Sequence, residues 1–154
     1  MHEGQVRGAT GHPRRRCGNC RNVRGKCRIT KVKLLVDTHV LIWAVLADPA
    51  LPERFRAALS DPAAEVYVSA VSVWEVAIKR ALGKLSVPAD LFDQAAASGC
   101  LALPITWDHA RAVETLSPHH ADPFDRLLIA QARVEGLTLL TADRAFAAYD
   151  VALL

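Results

Sequence analysis

Five carboxylates stand where a chain of this length can bring them to one place: Asp37, Glu75, Asp122, Asp125 and Asp143. Asp37 directly follows a short apolar run at 33–36, and Asp143 follows another at 137–140 by way of Thr141 and Ala142. Glu75 lies in the stretch after the β-rich run 65–69, and Asp122 and Asp125 flank Pro123 at the head of a further apolar segment. Carboxylates gathered at one spot repel one another and call for a cation. With few His or Cys beside them, the donors are hard oxygens, which suit Mg2+ or Mn2+. Such an ion binds phosphate oxygens, activates water and stabilises a leaving oxygen, which is the chemistry of phosphodiester hydrolysis.

The elements that must position these acids alternate between strand and helix. Strands are expected at 33–36, 65–69, 101–105 and 137–140, with a fifth at 151–153. Helices are expected at 38–46, 52–60, 71–82, 88–97, 107–116 and 123–135. Thr38 and Thr106 are candidate N-caps, Pro52 and Pro123 suit first helical positions, and Gly83 and Gly136 are stops. This alternation gives an α/β fold around a mostly parallel sheet. Strands that are apolar without alternation fit a sheet covered by helices on both faces. In such sheets sites form beyond the carboxyl ends of the strands, where Asp37 and Asp143 stand.

Each acid also has a plainer role open to it. Asp37 can simply end a strand and begin a turn. Ser72 and Glu75 have the spacing of a capping box, and Asp122 before Pro123 has the form of an N-cap. Asp125 then falls in a first helical turn, where an acid suits the dipole, and Asp143 can cap a short helix to Ala148. The case for chemistry rests on several acids reaching one sheet edge.

Charge divides the chain in two. Residues 1–31 carry nine Lys or Arg against one acid, Glu3, whereas residues 32–154 carry ten against fifteen. The whole-chain net charge of +3 therefore says nothing of a basic patch on the folded part, which is acidic. The basic stretch 1–31 lacks apolar periodicity and is expected to be a disordered tail, or a start assigned upstream of the true one; residues 32–154 form one domain. Cys17, Cys20 and Cys27 with His12 make an incomplete zinc pattern, and Arg14, Arg15 and Arg16 could add unspecific RNA affinity. Cys100 lies in an apolar run and is expected to be buried; the four cysteines form no disulfide framework. No run of 18 apolar residues is present, so no membrane span is expected, and the default compartment is the cytoplasm. Trp43, Trp74 and Trp107 are expected to pack in the core or at a dimer contact rather than to stack on bases.

Four segments in order resemble the PIN domain, in particular the VapC-type toxins of type II toxin–antitoxin systems. They are Lys33-Leu-Leu-Val-Asp37-Thr-His39; Ser72-Val-Trp-Glu75-Val-Ala-Ile-Lys79, running on to Gly83-Lys84-Leu85; Asp122-Pro-Phe-Asp125-Arg126-Leu-Leu-Ile-Ala-Gln131, led by His120; and Thr141-Ala-Asp143-Arg-Ala-Phe146. The resemblance implies a three-layer α/β/α sandwich with a central sheet of four to five strands. It implies that Asp37, Glu75, Asp125 and Asp143 are the catalytic acids and hold Mg2+ or Mn2+. Asp122, Thr141, Arg126 and His120 are supporting candidates, with His120 orienting an acid; Lys79 could screen the acids or lie on a solvated face. The implied activity is metal-dependent endoribonuclease cleavage by a toxin. The implied partners are an RNA substrate, a small VapB-like antitoxin that masks the site, and a second copy in a homodimer. Two other readings stay open on the sequence: a PIN-like nuclease acting on DNA or in RNA maturation, and a non-catalytic binding protein whose acids only cap helices.

Overall fold

A computed structural model describes residues 31–154; the expectations for the basic tail, its cysteines and His12 lie outside them. Four strands, β1 Val32–Val36, β2 Ala64–Ser69, β3 Leu101–Leu103 and β4 Thr138–Leu140, form one sheet in the order β3-β2-β1-β4. All three pairings are parallel, with Leu35 beside both Tyr67 and Leu139. The carboxyl ends of the strands therefore share one edge. Six helices accompany them: α1 Thr38–Val45, α2 Glu53–Leu59, α3 Ala70–Ala81, α4 Leu91–Ala97, α5 Trp107–Ala112 and α6 Pro123–Glu135.

The strand alternation sends side chains to two cores. Leu35 and Leu139 face a cluster with Val71 of α3 and Leu128, Ile129 and Ala132 of α6, while Val36 and Leu140 face Val40 and Leu41 of α1, Phe55 of α2 and Ala95 of α4. Each fully buried aliphatic side chain contributes on the order of 2 kcal/mol, so both faces of β1 and β4 are anchored. This is the three-layer α/β/α arrangement.

Several local expectations change. The strand at 151–153 shrinks to a single bridge between Leu139 and Leu153. Thr38 is not a cap: Asp37 precedes α1 as its N-cap and Thr38 is its first residue. Ser69 caps α3 by accepting from Val71 N at 2.9 Å, so the helix starts straight off β2 and the Ser72–Glu75 capping box does not form. The helix of 107–116 stops at Ala112 and tightens to a 3-10 turn, Val113–Thr115. Arg126 explains the break, because its guanidinium donates to the carbonyls of Val113, Leu116 and Ser117 at 3.0, 3.1 and 2.9 Å. Cys100 is half-buried rather than buried. Among the described residues no helix is long and apolar enough to cross a membrane.

Candidate active site

Asp37 is the first residue past β1, and its backbone N–H still donates to Leu140 O of β4 at 3.1 Å. That bond fixes the acid between the two central strands. Its buried carboxylate accepts from the Thr141 hydroxyl through Oδ2 at 2.7 Å. Burial pushes the carboxyl above its ordinary value, and the Thr141 bond and the neighbouring His39 oppose that push. Thr141 in turn accepts from Asp143 N at 3.1 Å, so one hydroxyl joins both strand-end acids.

Glu75 sits on the second turn of α3 and is buried. Its two oxygens have separate partners: Thr38 Oγ1 donates to Oε2 at 2.7 Å, and the Lys79 ammonium, one turn on, pairs with Oε1. Thr38 Oγ1 also lies 2.9 Å from Ser72 Oγ. The bond to Glu75 holds the Lys79 ammonium above its ordinary pKa. Lys79 is therefore a screening cation on a buried acid and not part of a solvated face. Local spacing suggests capping roles for Thr38 and Ser72, but their partners are set by the packing of α1 against α3.

Asp122 is the N-cap of α6, accepting from Phe124 N at 2.8 Å, with Pro123 at the first position. This local geometry aims Asp125, one residue short of the end of the first turn, back toward β1. The carboxyl of Asp125 is pushed up to about 7, first by burial and then by the negative charge of Asp122, Asp37 and Glu75. The charges that act on it come from the end of β1, from α3 and from the α6 cap. Asp122 thus combines two roles, capping the helix and adding charge to the cluster.

His120 lies between Asp125 and Asp143. Its Nε2 is 3.2 Å from Asp143 Oδ2 and its Nδ1 is 3.4 Å from Asp125 Oδ2. The first contact is a hydrogen bond; the second has no hydrogen-bond geometry, and Nδ1 is a buried polar atom without a hydrogen-bond partner. Ligand atoms of His120, Asp125 and Asp143 all lie within 4.8 Å of one another. Asp143 caps the 3-10 turn Arg144–Ala148 through Oδ1, which accepts from Ala145 N at 2.8 Å, and this bond holds its carboxyl below the ordinary value.

The structure thus gathers Asp37, Glu75, Asp125, Asp143, Asp122, Thr141 and His120 at the carboxyl edge of β1 and β4. Arg126 is not among them, since its donors hold the loop before α6. A divalent ion suits the rest: buried carboxylate oxygens, an excess of negative charge and an orphaned imidazole nitrogen are what a cation would satisfy. The tryptophans divide. Trp43 packs against the core, but Trp74 is 52% exposed and meets Phe124 edge to face at 5.1 Å, and Trp107 is 81% exposed. The expectation of packing for all three rests on helix-face hydrophobicity, which does not say what covers the face.

One residue of the scaffold escapes sequence reasoning. Gln131, buried on α6, accepts from the Ser69 hydroxyl at 2.5 Å and donates to Pro104 O at 3.2 Å. Through Ser69, the α3 cap, it joins the two helices that carry Glu75 and Asp125.

Comparison with known proteins bears on this architecture. The family profile described as the PIN domain matches residues 34–152. No curated protein matches the chain in sequence. Among solved structures the chain is similar to VapBC2 from Rickettsia felis bound to a promoter DNA fragment, with a TM-score of 0.60 at 13% identity, covering 80% of this chain and 98% of that one. It is similar to DNA-bound VapBC from Salmonella typhimurium, with a TM-score of 0.58 at 18% identity over 80% and 97% of the two chains. A toxin–antitoxin complex from Klebsiella pneumoniae gives 0.55 at 20% identity over 79% and 95%.

Proposed function

The chain belongs to the PIN domain family, whose members are nucleases, and we propose that it is a metal-dependent endoribonuclease, the toxin of a type II toxin–antitoxin pair. What supports this reading is the set of links among acids from separate elements: Thr141 bonds Asp37 after β1 and Asp143 after β4, His120 stands between Asp143 and Asp125 of α6, and Thr38, next to Asp37, bonds Glu75 of α3. Capping alone does not account for them. Glu75 caps nothing, and Asp125 accepts no backbone N–H among the described residues.

Asp37, Glu75 and Asp125 would hold Mg2+ or Mn2+, with Asp143 beside them. When bound, the ion supplies charge to the phosphate oxygens and lowers the pKa of water near the phosphorus. The chain's own residues supply preorganisation. Thr141 holds one oxygen of Asp37 and Thr38 one oxygen of Glu75, so neither carboxylate rotates freely. Lys79 offsets the charge of Glu75 and limits the repulsion that would open the site. Trp74 and Phe124, next to Glu75 and Asp125 in sequence, pack edge to face on each other and so join α3 to α6.

Of the structural neighbours named above, two are DNA-bound VapBC proteins and one is a toxin–antitoxin complex, which supports a small VapB-like antitoxin as partner. An antitoxin that covers the acid edge would mask the site from RNA in the cytoplasm. A homodimer is expected from the same resemblance. The test is cleavage of total cellular RNA by the full chain, freed of antitoxin, with Mg2+ or Mn2+. Cleavage should vanish with EDTA and with Asp37→Asn. Cleavage that persists in both would overturn the metal–carboxylate reading.

A further inference from the structure

His120 stands outside the four acids, yet its ring is held more firmly than a bystander requires. Its backbone N–H donates to the Tyr149 hydroxyl at 2.7 Å, and its ring packs edge to face on Phe146 at 5.5 Å. Tyr149 and Phe146 belong to the core, so the imidazole has a fixed platform. On that platform one ring nitrogen meets Asp143, while the other is buried with no hydrogen bond and faces Asp125 Oδ2 at 3.4 Å. A buried polar atom without a partner is costly and wants an explanation.

We propose that His120 Nδ1 is a direct ligand of the bound cation, adjacent to Asp125, and that Asp143 is the residue that positions the imidazole. The inference rests on the metal-dependent reading above and deepens it. Two observations carry it. Donor atoms at neighbouring corners of an octahedral ion of this size are about 3 Å apart, close to the Nδ1–Asp125 Oδ2 separation. A metal-bound histidine also commonly donates its second ring N–H to a carboxylate, which fixes the tautomer and leaves the ligating nitrogen unprotonated; here Nε2 meets Asp143 Oδ2 at 3.2 Å in that role. Asp143 is half exposed, and both of its oxygens have partners, Ala145 N and His120. It is thus better placed to orient the ring than to close a coordination shell. A nitrogen in the donor set also shifts preference from Mg2+ toward Mn2+, because imidazole suits transition ions better than hard ones.

The test is electron spin-echo spectroscopy of Mn2+ bound to the full chain, read beside Mn2+ and Mg2+ affinities. The expected result is nitrogen modulation of the Mn2+ signal that disappears in His120→Ala, with Mn2+ affinity falling by roughly tenfold or more and Mg2+ affinity falling less. His120→Asn places an amide oxygen near the position of Nδ1. It should recover part of the affinity without the nitrogen signal and narrow the preference for Mn2+. Asp143→Asn should keep the nitrogen signal but weaken binding. Mn2+ bound tightly with no nitrogen coupling in the unaltered chain would overturn the ligand role while leaving the nuclease reading intact. Failure of the chain to bind Mn2+ at all would overturn both, and thermal melting of each variant separates lost ligation from lost folding.

Discussion

Asp125 has the least favourable surroundings of the five acids, with a carboxyl pushed up to about 7 by burial and by the charges of Asp122 and Asp37. The sign of the consequence follows from proton counting. Between the ordinary value of 3.8 and about 7, the native metal-free chain keeps a proton that the unfolded chain has lost. Stability conferred by that proton is present at low pH and is lost as pH rises through the window. Asp125→Asn should therefore raise the melting temperature of the metal-free protein above pH 7 and change it little near pH 4, as differential scanning fluorimetry with EDTA would show. The same variant should abolish cleavage. Equal effects at both pH values would mean that the Asp125 carboxyl is not held above its ordinary value.

Elements decide how far such residues can be placed from sequence. Helix α6 is legible end to end: Asp122 as cap, Pro123 at the first position and Gly136 in the left-handed conformation that stops it. These local signals are enough to put Asp125 in the first turn. Helix α3 starts one residue earlier than its sequence suggests, because Ser69 serves as the last residue of β2 and as the cap, with no loop between. Roles that depend on a distant partner are not legible. Thr38 has the look of a cap because its acceptor, Glu75, is 37 residues away. Nothing around Gln131 signals that its amide binds a serine 62 residues earlier. Its variant makes an element-scale prediction. Gln131→Ala removes the partner of the Ser69 hydroxyl and of Pro104 O, and should cost about 2 kcal/mol in urea denaturation. It should also weaken Mn2+ binding, since α3 and α6 carry Glu75 and Asp125. A loss of stability with unchanged metal affinity would confine Gln131 to the scaffold.

For the molecule as a whole, the acid edge means that folding and ion binding are linked. The described domain is acidic, and its like charges are concentrated where four elements meet. An ion that binds the native state alone stabilises it by roughly 2.7 kcal/mol at a concentration one hundred times its Kd. Mn2+ should therefore raise the melting temperature, and by more above pH 7 than near pH 4, because protons compete for Asp125. A metal-independent melting curve across that range would contradict the site. The order of the sheet has a consequence in time as well as in space. Asp37 is made early, but its hydrogen-bond partner Thr141 comes 104 residues later, and β4 must enter beside β1 before the two meet. Until β4 has joined β1, the candidate centre lacks Thr141 and Asp143, so any shorter stretch of the chain that stops before them holds Asp37 without its partner.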